Sequence, residues 1–225
     1  MNYRFQYGVV WPDFGALLEG ALLTFQLGVA AFIGGAAIGI TFAAFKTYGP
    51  RPVRALIDAY VVFFTNTPAL IQIYFLYYGL PEVGVRWSGE VCVLVGLVLN
   101  AGAYLTMIMR AGFLSARRTE LEAAEVLGMS RFQQVRHVIA PHIIKTIYPA
   151  LANFFIVILV MGTSIGALVG VDELTGTAIN LATMNYRWLE YFTIVAAMYV
   201  VITFIASIGL ALFGRWAFRV KAKIL

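Results

Sequence analysis

The sequence predicts an all-α integral membrane protein with five transmembrane helices, its N-terminus outside, its C-terminus in the cytoplasm, and a short cytoplasmic helix between the third and fourth. Three observations carry this: an apolar composition, five apolar runs of spanning length, and a one-sided distribution of basic residues. Of the 225 residues, 61% are hydrophobic and only 12% charged, too few polar groups to cover a water-facing globule. The bilayer interior offers the backbone no hydrogen-bond partners, so long apolar runs must be helices or strands of a closed barrel. Barrel strands alternate in polarity, and these runs do not.

A span needs about 20 mostly apolar residues. Residues 17–45, 55–78, 91–109, 143–169 and 191–213 qualify. The first run is too long for the core of a cleaved secretory signal and is read as a retained span. Pro50 and Pro52 punctuate the first connection, Gly79 to Pro81 the second, and Pro141 precedes the fourth span, all places where a helix is expected to break. Trp11, Trp87, Trp188 and Trp216 fall at span borders, where an indole buries its ring and keeps its N–H wet. Gly35-x3-Gly39 and Gly162, Gly166 and Gly170 suit close helix packing. No linker or soluble domain appears, so residues 1–225 are expected to form one transmembrane domain. Cys92 has no partner in the chain, which excludes an internal disulfide.

Cytoplasmic loops retain Lys and Arg. One set of connections holds Lys46, Arg51, Arg54, Arg110, Arg117, Arg118, Arg131, Arg136, Lys145, Arg215, Arg219, Lys221 and Lys223; the other holds only Arg4, Arg86 and Arg187. The net charge of +5 is thereby explained by topology, and no nucleic-acid partner is needed.

The segment 117–141 is the longest polar stretch. Leu121, Ala124, Val126 and Leu127 recur at helical spacing, with Glu120, Glu122 and Glu125 around the opposing sides, which predicts a short amphipathic helix. Gly128 should stop it, and Ser130 should cap a second helix running toward Pro141. Small Ala123 and Ala124 would let a partner approach closely, and the acids would meet its basic groups. The other reading is a helix lying on lipid, which the acids make less attractive beside a negative leaflet.

Asn100, Tyr104, Thr106, Asn153, Thr163 and Ser164 are the polar groups in the spans singled out as candidates to line a passage. They either face a passage or hydrogen-bond between helices. Tyr77 and Tyr104 could stack on a solute or fill space. No Gly-Lys dipeptide occurs, so the chain has no Walker A loop; His-Glu-x-x-His is also absent.

Glu122-Ala123-Ala124 with Gly128 and the closing Pro141 resembles the EAA loop of type I ABC importer permeases. The segment from Tyr60 to Pro81, YVVFFTNTPALIQIYFLYYGLP, is similar to the polar amino acid branch, which takes up histidine, glutamine and glutamate-like solutes. So are NAGAYLTMIMRAG from Asn100 to Gly112, and Asn153 followed by Thr163-Ser164 and Gly170-Val171-Asp172-Glu173-Leu174. The resemblance implies a permease of the bacterial cytoplasmic (inner) membrane. Its coupling helix would include Leu121, Glu122, Ala123, Ala124, Glu125, Gly128 and Arg131. Implied partners are two ATPase subunits, which bind ATP and Mg while this chain holds no cofactor, a second permease, an extracytoplasmic amino acid binding protein, and the lipid bilayer.

The chain departs from the branch in one direction. Val62 and Thr65 stand where the branch has Glu and Arg, Met107 where it has Glu, and Met161-Gly162 where Lys-Asp is common. Charge inside a membrane is costly and a single lost partner is worse, so neutral drift would remove both. The other explanation is a subunit paired with a related but different permease that keeps the charged groups. A permease for another polar solute such as an opine fits the same loop. A secondary transporter or channel is the remaining class, against which stands the lack of a deep charged residue or paired broken helices.

Overall fold

The computed structural model describes residues 3–115 and 118–218. Arg117, Arg219, Lys221 and Lys223 lie outside the described residues, and of Arg118 only the backbone is described. Two 3-10 turns, Tyr7–Val9 and Trp11–Asp13, lead into α1 (Phe14–Tyr48). There follow α2 (Arg51–Asn66), α3 (Ala69–Tyr74, continued by a π turn over Phe75–Gly79), α4 (Gly89–Ser115), α5 (Arg118–Val126) and α6 (Arg131–Gln134). The chain closes with α7 (Ala140–Val157), α8 (Leu174–Asn185) and α9 (Trp188–Phe218). Four stretches among the described residues are long and apolar enough to cross a membrane: Tyr7–Tyr48, Gly89–Ser115, Arg131–Val169 and Trp188–Phe218.

The second expected span, 55–78, is not one straight helix. Arg51–Asn66 and Ala69–Val83 meet at a bend of 101°, and five spans result only if this pair counts as one. The cause is local: Thr67, preceding Pro68, is extended at φ −113, ψ 130, because the proline ring disfavours helical geometry in the residue before it. Pro141, expected to interrupt, does not. The helix from Arg131 runs through it to Val169, and a π turn over Val135–Ile139 lies just before it, widening the ladder where proline supplies no N–H.

α1 and α4 form the centre. The buried stripe Leu17, Gly20, Thr24, Leu27, Gly28, Ala31, Gly35 and Gly39 recurs at helical spacing along α1. At Gly35 an added Cβ would lie 2.6 Å from Ala101 Cβ, and at Gly39 2.7 Å from Leu105 Cβ. Close crossing therefore depends on the missing side chains. Gly39→Leu is expected to cost about 3 kcal/mol or more through overpacking, read as a lowered unfolding temperature in detergent. Gly170 has another role than packing: at φ +74 it has open space around it and ends the fourth span.

Two cores result. One joins Leu27, Ala31, Ile73, Leu97, Leu105 and Ile158 across α1, α3, α4 and the fourth span. The other joins Val10, Leu17, Leu174, Ala178, Tyr191 and Val195. Cys92 is fully buried in α4. α8 is too short to cross a bilayer at 12 residues and packs on α1 and α9 through Leu174, Ala178 and Ala182. Its N-cap is Glu173, fully buried, with Oε1 accepting from Gly176 N–H (2.9 Å) and Oε2 from Thr175 N–H (3.0 Å), Thr24 Oγ1 (3.2 Å) and Tyr199 Oη (3.2 Å).

Candidate functional site

Two regions gather the residues singled out by sequence. At one end of the bundle, α5 stops at Gly128, whose φ of +69 is left-handed. Gly128 N–H donates to Glu125 O (3.0 Å) and Met129 N–H to Ala124 O (3.1 Å), the paired bonds of a Schellman end. Ser130 then opens α6 with a reciprocal capping box: Gln133 N–H donates to Ser130 Oγ (3.4 Å), and Ser130 N–H to Gln133 Oε1 (2.8 Å). Both local expectations hold.

The loop is braced from within. Arg131 pairs with Glu125 (3.3 Å) and His142 Nδ1 with Glu120 (3.2 Å), while His142 Nε2 lies 3.1 Å from Ser115 O at the end of α4. Buried Gln134 donates through Nε2 to Met129 O (3.0 Å). Ala124 corrects the sequence reading: expected at a partner surface, it is buried, so its small size serves packing within the loop. Leu121 is half-buried, and Glu122 and Ala123 are exposed. Val126 (88% exposed), Leu127 (78%) and Phe132 (71%) stand out from the same tip. An apolar knob beside acidic side chains is what an interface core with a polar rim requires.

The second region is a cavity of about 610 Å³ at the bend between α2 and α3. Thr65, Asn66 and Thr67 form one wall, Asn100 and Tyr104 of α4 another, and Phe154, Ile158 and Met161 close it. Among the described residues, no charged side chain lines it. Two of the neutral departures, at Thr65 and Met161-Gly162, fall here, whereas Val62 and Met107 are exposed outside it.

The bend leaves carbonyls of α2 without helical partners, and two amides serve them. Gln72 Nε2 donates to Phe64 O (3.1 Å) and Thr67 O (2.9 Å); Asn100 Nδ2 donates to Phe64 O (3.1 Å) and Gln72 Oε1 (3.3 Å). Gln72→Leu is expected to leave Thr67 O without its amide donor, Phe64 O keeping Asn100 Nδ2, at a cost of about 1–3 kcal/mol, measured as lost thermal stability with uptake reduced in proportion. Gln72 went unnoticed in the sequence, although a glutamine one turn after Pro68 was a usable signal.

The other expected pathway residues are not brought to the cavity. Thr106 is buried, bonds back to Gly102 O (2.7 Å) and packs on Gly39 of α1. Thr163 is buried and bonds to Leu159 O (2.8 Å). Ser164 bonds to Met161 O (3.1 Å), and Asn153 is exposed on α7 outside the lining. Tyr77 packs edge-on to Tyr78 and also lies outside it.

Comparison with known proteins bears on both regions. Residues 35–219 match the family described as binding-protein-dependent transport system inner membrane component. The glutamine transport system permease protein GlnP of Escherichia coli strain K12 is 31% identical over 91% of this chain and 94% of its own length. The octopine transport system permease protein OccM of Rhizobium meliloti is 33% identical, over 95% and 91%. A crystal structure of an amino acid ABC transporter with histidines superposes at a TM-score of 0.86 with 31% identity, covering 95% of this chain and 99% of that one. These matches displace the secondary-transporter and channel readings. The chain belongs to the inner membrane components of binding-protein-dependent transport systems, as a multi-pass permease of the type I ABC importer fold in the cytoplasmic membrane.

Proposed function

We propose that this chain is the permease subunit of an ATP-driven amino acid importer, with residues 1–225 as one transmembrane domain, the N-terminus outside and the C-terminus in the cytoplasm. The observation that carries the reading is the braced loop from α5 to α6, whose exposed Val126, Leu127 and Phe132 sit beside Glu122. In this reading the tip docks into an ATPase subunit. Support for the orientation comes from Lys46, Arg51, Arg54, Arg131, Arg136 and Arg215, which share the end of the bundle that carries this tip, against Arg4, Arg86 and Arg187 at the other.

Two ATPase subunits bind ATP and Mg and supply the energy, and this chain holds no nucleotide or cofactor. An extracytoplasmic binding protein delivers the solute. A second permease, related but different, completes the pathway, because the cavity at Asn100 and Tyr104 offers no charge to meet either end of a zwitterion. Nucleotide biases the outward and inward forms only through its different affinity for the two, and the tip carries that bias into the bundle. The relatives for glutamine and octopine make an opine the second candidate solute.

The test is mass spectrometry of what co-purifies with the tagged chain in mild detergent, followed by uptake in vesicles. ATPase subunits plus a distinct permease, with uptake dependent on internal ATP, are expected. A stable, transport-competent homodimer would overturn the heterodimer, and uptake following a proton gradient would overturn the energy source. Ligand binding by the cognate binding protein decides between amino acid and opine.

A further inference from the structure

Beneath the contact between the fourth span and α9 lies a second cavity of about 320 Å³, which the transport reading does not use. The two helices are locked one turn away from it. Tyr148 donates its hydroxyl to Leu210 O and packs its ring against Phe218 at a tilt of 54°, with ring centroids 5.3 Å apart. At Gly214 an added Cβ would lie 2.3 Å from the Tyr148 ring, so close approach there requires glycine. Past this lock, toward the end carrying α5 and α6, the helices leave a gap.

Pro141 and Ile144 line that gap from one helix and Ala217 and Phe218 from the other, and Arg136 and Lys145, both exposed, line it as well. Among the described residues, no carboxylate lines it. The nearby loop acids Glu120 and Glu125 are engaged with His142 and Arg131, and neither Arg136 nor Lys145 has a carboxylate partner among the described residues. Trp216, 81% exposed on the adjoining turn of α9, marks the level of the membrane border.

We infer that this cavity is a binding site for an anionic phospholipid. Its phosphodiester is held between Arg136 and Lys145, and one acyl chain runs along Ile144 and Phe218. A lipid is the occupant that matches both halves of the site: two cations satisfy the phosphate, and apolar walls at the bilayer edge accept the chain. Free phosphate would satisfy only the first half. The site needs neither the transported solute nor the ATPase, so its test is independent of the transport reading.

The experiment is native mass spectrometry of the full chain, with whatever subunits accompany it, released from nanodiscs of phosphatidylcholine with one quarter phosphatidylglycerol. The wild type is expected to retain phosphatidylglycerol well above its share of the bilayer. Arg136→Ala with Lys145→Ala should reduce that preference by roughly an order of magnitude, as two membrane-surface cations imply. The charge-preserving pair Arg136→Lys and Lys145→Arg should keep most of it, and Arg54→Ala, an exposed cation at the same end outside the cavity, should leave it unchanged. Undiminished retention by the double alanine variant overturns the proposal. So does equal thermal protection by inorganic phosphate in a neutral detergent, which would assign the cations to a free anion.

Discussion

Glu122→Arg and Gly128→Pro are each expected to lower ATP-driven uptake by at least about tenfold while the chain reaches the membrane at its usual level. The first replaces a negative side chain with a positive one at the exposed tip, and like charges brought together across an interface cost several kcal/mol. The second acts through the backbone. Proline fixes φ near −65°, whereas Gly128 sits at +69, so the turn that lets Met129 N–H reach Ala124 O cannot form. Ser130 and its capping box then lose their position, and with them the placement of Phe132. Uptake into vesicles measured beside ATPase turnover checks this: hydrolysis should persist without transport. Normal uptake by either variant would show that no subunit docks here.

Glu173→Leu is expected to be the most destabilising single change at the opposite end, by about 3–5 kcal/mol. It removes the N-cap of α8 and strands the N–H groups of Thr175 and Gly176, while Thr24 Oγ1 keeps Gly20 O and Tyr199 Oη keeps Thr175 Oγ1. Burial pushes the Glu173 carboxyl above its ordinary value of 4.5, although hydrogen bonds from Thr175, Gly176, Tyr199 and Thr24 pull the other way. The folded chain therefore binds this proton more tightly than the unfolded one. Its contribution to stability is complete below about 4.5 and is lost as pH rises through the window up to the raised value. Glu173→Gln should flatten that part of the profile while keeping most of the shape. Unfolding temperature against pH in detergent checks both variants; an unchanged slope in Glu173→Gln would assign the dependence to another group.

Composition and local signals carried the reading where the determinant was local. Gly128 and Ser130 are turn and cap residues whose effect needs only their neighbours, and both act as expected. The bend at Thr67-Pro68 was hidden because hydropathy continues past it through Ala69, Leu70 and Ile71, and hydropathy is blind to the restriction a proline ring places on the residue before it. α8 was missed for a related reason: Leu174, Ala178 and Ala182 recur every four residues, a pattern too short to stand out beside the spans. Among the pathway residues, polarity was legible and azimuth was not. Asn100 and Tyr104, four apart, share a face of α4 and reach the cavity. Thr106, six residues from Asn100, is buried where the α4 backbone meets Gly39 of α1 instead. Ala124 shows the same limit, since a small residue beside an acidic one suits an inner or an outer face equally.

The burial of Cys92 has a practical side. It is the chain's sole thiol and lies fully inside α4, so a water-soluble maleimide meets no native target on the folded protein. A cysteine introduced at Val83 or Val126, both well exposed and at opposite ends of the bundle, would be the one labelled position. Impermeant reagent applied to intact cells and then to inverted vesicles would read the sidedness of each end directly, without first building a cysteine-free background.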